Sequence, residues 1–174
     1  MDTLTSTGIM RRTISVMVEN KFGVLARIST LFAARGFNID SLAVGETEDP
    51  SVSRMTIVVS GNENVLEQVE KQLNKMIDVI KVTSFTVEPH LERDLALIKV
   101  KAEKSVRNEI FQIVDIFRAK IVDVGADTLI IEVTGDEEKI TALEAMLKPF
   151  GIKEMVRTGI IAMGRGTKKK DNGK

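Results

Sequence analysis

Apolar residues in the first half of the chain switch between strand-like and helix-like spacing. Ile14, Val16 and Val18 recur at every second position, which predicts a strand. From Val24 to Phe32 the apolar positions follow helical spacing, and Gly36 fits the end of that helix. The pattern then predicts strands at 38–44 and 54–60, a helix opened by a capping box of Asn64 and Glu67, and a strand at 79–85. The predicted order is βαββαβ.

The same order of elements repeats in the second half, after a polar segment that contains Pro89. The predicted elements are a strand at 96–100, a helix at 106–117 opened by Ser105, strands at 121–124 and 129–133 joined by a hairpin turn, a helix at 140–147 and a strand at 152–156. Each half should form an antiparallel sheet with two helices on one face. The predicted fold class is therefore α+β, with two tandem ferredoxin-like sandwiches.

These patterns also predict where the domains begin and end. We expect a flexible N-terminus at 1–10, a first domain at 11–87, a linker at 88–94, a second domain at 95–164 and a disordered basic tail at 165–174.

The sheet face without helices is expected to be covered, because the strands carry apolar residues on both alternations. Val16 and Met17 are neighbours of this kind, and so are Ile57 and Val58. A homodimer that joins the sheets edge to edge or face to face would cover this face and protect the strand edges. The turn at Gly23 would then meet residues 36–39 of a neighbouring chain.

A polar turn with one glycine, Gly23, connects the first strand to the first helix. A residue without Cβ tolerates unusual dihedral angles and leaves room for a ligand. The free N–H groups of the next helical turn would suit a carboxylate. The structural alternative is that Gly23 only makes a tight turn, and the turn taken alone favours that interpretation.

Composition excludes several function classes. The 174 residues include no cysteine and one histidine, His90, which excludes disulfides, thiolate metal sites and a cluster of imidazole ligands within one chain. The 25 basic and 25 acidic residues give zero net charge, which argues against nucleic-acid binding. No apolar run has membrane-spanning length, and the first residues lack the features of a signal peptide. We therefore expect a soluble, cytoplasmic protein with no membrane partner.

Two sequence runs carry a family resemblance: Glu19-Asn20-Lys21-Phe22-Gly23-Val24-Leu25 and Arg35-Gly36-Phe37-Asn38-Ile39-Asp40-Ser41-Leu42. They resemble the ACT domain of the small subunit of acetolactate synthase, also called acetohydroxyacid synthase. Matching segments continue through 53–57, 65–73, 109–111 and 116–124 and end near 157–159. The resemblance thus covers about residues 11 to 164 and implies that the first domain is an ACT domain.

This resemblance implies a regulatory protein with no catalysis of its own. In the family, the small subunit activates a separate catalytic subunit that makes acetolactate from pyruvate in valine, leucine and isoleucine biosynthesis. It also transmits feedback inhibition by a branched-chain amino acid, usually valine. Thiamine diphosphate, Mg²⁺ and FAD are expected on that catalytic subunit and no cofactor on this chain. The composition agrees, because no cluster of general acids, bases or nucleophiles stands out.

The family's effector site carries over to matching positions at the glycine turn. Asn20 would hydrogen bond the amino or carboxylate group of the amino acid, while Gly23, Val24 and Leu25 would present backbone N–H groups. Leu25, Ile28 and Ile39 would contribute an apolar wall. The structural alternative for Asn20 is a helix cap.

Two further effector residues would come from the partner in a homodimer formed through the ACT domains, namely Asn38 and Ile39. The structural alternatives are a C-cap turn at Asn38 and a core position for Ile39. One methylene in an apolar pocket changes affinity by only ~1–3 kcal/mol, so these side chains do not rank valine, leucine and isoleucine.

The second domain is the expected surface for the catalytic subunit. Candidate contacts lie on the helix with Glu109, Phe111 and Arg118, where Phe111 falls off the main apolar stripe. The structural alternative is partial burial of a single aromatic ring.

Three other protein classes share this order of elements. An RNA-binding module would need stacking aromatics on its central strands, and a metal chaperone would need thiolates, neither of which the sequence offers. An amino-acid-sensing protein that controls another partner, such as a transcription factor, is the strongest rival. It would need a helix-turn-helix, and the residues before Arg11 are too few to form one.

Overall fold

A computed structural model describes residues 9–86 and 89–166, and within these residues the chain forms four α-helices and nine β-strands. None of the helices in the described part is long and apolar enough to cross a membrane. The helices are α1 (Val24–Ala34), α2 (Glu63–Leu73), α3 (Arg107–Ile116) and α4 (Glu137–Leu147). The strands are β1 (Met10–Glu19), β2 (Ser41–Glu46), β3 (Val52–Gly61), β4 (Val79–Ser84), β5 (His90–Lys101), β6 (Lys120–Val124), β7 (Thr128–Gly135), β8 (Ile152–Arg157) and β9 (Ile161–Gly164).

The chain divides into two compact units. The first comprises the described parts of Met1–Leu91 and Ala162–Lys174, and the second comprises Glu92–Ile161. Both units follow the predicted βαββαβ order, so the ferredoxin-like fold class is confirmed.

The first unit contains an antiparallel sheet in the order β2-β3-β1-β4. The inward positions of β1 are fully buried and pack with one face of each helix, since side chains alternate between the two faces of a strand. The core comprises Ile14, Val16, Val18, Val24, Ile28, Phe32, Met55, Ile57, Val59, Leu66, Val69 and Leu73. The helices therefore cover one face of this sheet and leave strand β2 at its edge.

The second unit repeats this arrangement with the strand order β6-β7-β5-β8. Its core is built from the same kinds of position: Ala96, Ile98, Val100, Ala102, Ile110, Ile113, Val114, Leu129, Ile131, Val133, Ile140, Leu143 and Leu147. Strand β9 was not predicted, because four residues are too few for a clear alternation.

Several predicted boundaries differ from the structure. The segment predicted as a linker, 88–94, is strand from His90 onward, because its charged residues have partners within the fold. Strand β1 already begins at Met10, inside the predicted flexible N-terminus, of which residues 1–8 lie outside the described range. In the predicted tail, Arg165 donates its backbone N–H to the carbonyl of Pro89 at 2.9 Å. The rest of that tail, 167–174, also lies outside the described range.

Two predicted helix caps are wrong. Helix α2 is capped by Asn62, whose side chain accepts a hydrogen bond from the Val65 N–H at 3.0 Å, whereas Asn64 lies inside the helix. Helix α3 has Val106 at its N-cap and no side-chain cap, so Ser105 does not open it. Several residues near the start of a helix can act as the N-cap, and sequence spacing alone does not identify which of them does.

The central strands of the first sheet are buried on both alternations. On the face opposite the helices, Thr13, Ser15, Thr56 and Val58 retain 6%, 3%, 3% and 0% of their accessible surface. A homodimer formed through this sheet stays a prediction. Strand β2 is different, because it lies at the sheet edge and Val44 on it is 46% exposed.

Candidate ligand-binding site

The turn between β1 and α1 ends at Gly23, which is the N-cap of the helix. Its φ of 81° and ψ of −3° are left-handed, a conformation that L side chains disfavour by about 1–2 kcal/mol. No side chain caps this helix. The N–H of Val24, a predicted donor, already donates to the carbonyl of Lys21 at 3.4 Å, so a ligand would depend on the neighbouring N–H groups at the start of α1. The positive end of the helix dipole adds to their attraction for an anion.

Neighbouring loops hold this turn in place through its backbone. The N–H of Glu19 donates to the carbonyl of Asp78 at 2.9 Å, and the N–H of Asn20 donates to the carbonyl of Ser51 at 2.7 Å. Asp78 precedes β4 and Ser51 precedes β3. The end of β1 is therefore fixed from two sides before the chain enters the helix.

The side chain of Asn20 is oriented by two acceptors. Its Nδ2 donates to Glu46 Oε1 at 3.1 Å and to the carbonyl of Pro50 at 2.9 Å. Both partners only accept hydrogen bonds, so the amide nitrogen faces them and Oδ1 faces away. Asn20 is not the helix cap, because that position belongs to Gly23. Its oriented Oδ1 can accept a hydrogen bond from an ammonium group.

Two cations lie beside the turn. Arg27 Nε donates to Asp78 Oδ2 at 2.7 Å, and Lys21 Nζ contacts Glu19 Oε2 at 2.8 Å. The hydrogen bond to Asp78 raises the pKa of the Arg27 guanidinium, and the hydrogen bond to Glu19 raises the pKa of the Lys21 amine. Both groups are therefore positively charged at neutral pH.

The apolar residues near the turn divide into core and surface. Val24 and Ile28 are 3% and 1% exposed and belong to the core, so Ile28 does not line an open site as predicted. Leu25 is 43% exposed and is available to an aliphatic ligand. The side chain of Phe22 is fully exposed.

Asn38 and Ile39 lie between α1 and β2. Asn38 Nδ2 donates to Asp40 Oδ1 at 2.6 Å and the C-cap of α1 is Arg35, so the predicted structural alternative of a C-cap at Asn38 is wrong. Ile39 is partly buried against the core, in keeping with the structural alternative for that residue.

The two asparagines lie at opposite ends of the same strand. Asn38 precedes the first residue of β2, whereas Asn20 contacts Glu46, its last residue. A six-residue strand is about 17–20 Å long, so one chain does not bring both side chains to one small ligand.

Comparison with known proteins covers both units. Residues 14–81 match the model of the ACT domain of acetohydroxyacid synthase small subunits, and residues 93–166 match the model of the small subunit of acetolactate synthase. A probable acetolactate synthase small subunit from Archaeoglobus fulgidus is 57% identical over 160 residues, which are 92% of this chain and 100% of the relative. The chain belongs to the acetolactate synthase small-subunit family.

Two further members of this family are similar to the chain over nearly the same residues. The acetolactate synthase small subunit of Aquifex aeolicus is 56% identical over 158 residues, 90% of this chain and 82% of the relative. The crystal structure of the Thermotoga maritima small subunit superimposes with a TM-score of 0.83 at 45% identity and covers 90% of this chain and 98% of that chain. The small-subunit fold therefore includes both units.

The predicted partner-binding residues of this small subunit lie around the end of α3. Phe111 is 37% exposed on the helix. The helix ends at Ile116, so Arg118 lies beyond it rather than on it, with a left-handed φ of 50°. Both side chains are exposed.

The sequence interpretation missed Arg27, Asp78 and Glu46 at the turn. Arg27 follows Gly23 by four residues, a spacing that places it over the turn on the same side of the helix. Asp78 and Glu46 are distant in sequence from their partners, and no local pattern marks them.

Proposed function

We propose that this chain is the regulatory small subunit of acetolactate synthase and binds a branched-chain amino acid at the β1–α1 turn. The observation that supports this best is the pairing, at one turn, of an uncapped helix N-terminus with the oriented Oδ1 of Asn20. The first suits a carboxylate and the second suits an ammonium group. Membership in the small-subunit family supports the regulatory role.

Each part of an amino acid has a complementary group at this turn. The carboxylate would accept hydrogen bonds from N–H groups at the start of α1. The ammonium group would donate to Asn20 Oδ1, with the exposed carboxylate of Glu46 adding negative charge nearby. The aliphatic side chain would contact Leu25, which is partly exposed.

The complete site would form between two copies of the chain. Strand β2 is a sheet edge, and antiparallel pairing with β2 of a second copy would place the end of one strand beside the start of the other. Asn20 of one copy would then approach Asn38 and Ile39 of the second. This homodimer also explains why one chain holds the two asparagines apart.

The reaction itself belongs to a separate catalytic subunit. That subunit would carry thiamine diphosphate, Mg²⁺ and FAD and make acetolactate from pyruvate, while this chain activates it and transmits inhibition by the effector. Coupling requires that effector and catalytic subunit favour different states of the assembly.

Calorimetric titration of the purified chain with valine, leucine and isoleucine tests the effector site. We expect saturable binding, with complete loss in Gly23→Asp, because a side chain there strains the turn and places a negative charge near the incoming carboxylate. Gly151→Asp is the matched control, since Gly151 also has a left-handed φ of 95° but lies in the second unit. This control should bind like the wild type.

An assay of acetolactate formation tests the regulatory role. A purified catalytic subunit should be more active when the chain is added, and valine should reduce that activity in the wild type but not in Gly23→Asp. No change in activity on addition of the chain would refute the regulatory assignment. Valine binding without activation, together with retention on DNA at moderate salt, would favour control of a transcription partner instead.

A further inference from the structure

We infer that the Arg27–Asp78 ion pair positions the β1–α1 turn for its ligand, and that this role makes Arg27 and Asp78 determinants of effector affinity. The inference rests on the proposed function for the ligand, but the positioning of the turn is testable without any ligand.

Asp78 contacts the chain on both sides of the turn. Its carbonyl accepts the backbone N–H of Glu19 at 2.9 Å, just before the turn. Its carboxylate accepts from Arg27 Nε at 2.7 Å, in the first turns of α1. One residue of the loop between α2 and β4 therefore fixes the end of β1 and the start of α1 relative to each other.

Arg27 also packs against the glycine of the turn. A Cβ placed on Gly23 would lie 3.1 Å from Arg27 Nη1, which is tighter than ordinary van der Waals contact. The guanidinium therefore lies directly over the backbone of Gly23. It adds a positive charge beside the helix N-terminus, where the carboxylate would bind.

Burial distinguishes this pair from the surface pairs of the same unit. Side-chain exposure is 10% for Asp78 and 50% for Arg27, against 52% for Glu67 and 69% for Lys71 in the i,i+4 pair of helix α2. A carboxylate as buried as Asp78 is uncommon in proteins unless it is paired. Solvent and salt screen a partly buried pair less than an exposed one, so this pair can hold a backbone geometry.

Hydrogen exchange of the free protein and valine titration together test the inference. The variants are Arg27→Gln, Asp78→Asn and the double variant, with Lys71→Gln as the control that breaks an exposed pair away from the turn. We expect the hydrogen-bonded amides of Glu19 and Asn20 to exchange at least about tenfold faster in each single variant, with core strands unchanged. Valine affinity should fall about tenfold.

Two further comparisons separate positioning from general stability. If both residues act through their ion pair, the valine affinity of the double variant should equal that of the single variant with the lower affinity. Arg27→Lys should recover part of the affinity, because an ammonium group can still reach the Asp78 carboxylate. Thermal unfolding of all variants identifies any that lose the fold.

The outcomes are distinct. Unchanged exchange in the turn overturns the inference whether or not valine binds. Faster exchange with unchanged valine affinity also overturns it, because the pair would then hold the turn without affecting the ligand. If Lys71→Gln changed turn exchange and valine affinity as much as the Arg27 and Asp78 variants do, the cause would be a general effect of charge. That result would also overturn the inference. If exchange is faster in the variants but the wild-type chain binds no branched-chain amino acid, the proposed function is refuted and the positioning of the turn by the ion pair still holds.

Discussion

At the scale of single residues, the sequence predicted the conformation of Gly23 correctly and the environment of Asp94 wrongly. Gly23 was expected at a turn with unusual dihedral angles, and its left-handed φ confirms this, because local chemistry alone requires it. Asp94 was placed in a linker, yet it is 2% exposed and bonded to Arg157 and Thr158. Partners more than 60 residues away leave no local signal in a sequence.

Asp94 should contribute measurably to stability. Its Oδ2 accepts from Arg157 Nε at 2.6 Å and its Oδ1 accepts from Thr158 Oγ1 at 2.9 Å. Asp94→Ala removes a hydrogen-bonded ion pair with Arg157 and one bond from Thr158 Oγ1, which still has the carbonyl of Gly159 as an acceptor at 3.0 Å. We therefore expect a loss of about 1.5–3 kcal/mol in the free energy of unfolding. Urea denaturation measures this. Glu103→Ala is the control, since its pair with Lys101 is exposed and should cost less than about 1 kcal/mol.

At the scale of elements, periodicity predicted the type of each helix better than its start. An apolar stripe extends over several turns and averages out local exceptions, whereas a cap depends on one side chain. Two asparagines before the apolar stripe of α2 could each cap the helix, namely Asn62 and Asn64. The structure selects Asn62, because only the extended backbone at that position lets its side chain reach the Val65 N–H.

Replacing the two asparagines separately tests this cap. Asn62→Ala loses the hydrogen bond to the Val65 N–H and should lower the free energy of unfolding by about 1 kcal/mol. Asn64→Ala lies in the first turn, makes no capping bond in the structure and should change stability by less than about 0.5 kcal/mol. Thermal unfolding of both variants under one condition gives the comparison. Equal losses would contradict the assignment of the cap.

At the scale of the whole molecule, the repeat of βαββαβ was readable from sequence, whereas the assembly was not. Alternation shows which strand faces are apolar, but it does not identify what covers them. Val58 illustrates this, because it lies on the face opposite the helices and is fully buried. The edges of the sheet are β2 and β4, and the proposed homodimer uses β2.

The second unit offers a way to separate activation from sensing. Phe111 is partly exposed, and Arg118 occupies a left-handed conformation that is unfavourable for a side chain. This conformation follows from the end of α3, where the Arg118 N–H donates to the carbonyl of Asp115 at 3.0 Å and the Ala119 N–H donates to the carbonyl of Val114 at 2.9 Å, a usual left-handed helix ending. The exposure of both side chains is the reason we expect them to contact the catalytic subunit.

The double variant Phe111→Ala, Arg118→Gly removes both side chains without adding strain. Glycine relieves the left-handed φ but loses more chain entropy on folding, so the free energy of unfolding should change by less than about 1 kcal/mol from the Arg118 substitution. Activation of the catalytic subunit should fall severalfold, while calorimetric valine affinity stays at the wild-type value. Met146→Ala, which removes another half-exposed side chain from α4, should activate normally. Unchanged activation in the double variant would exclude this surface, and a parallel loss of valine binding would show that sensing and activation share one surface.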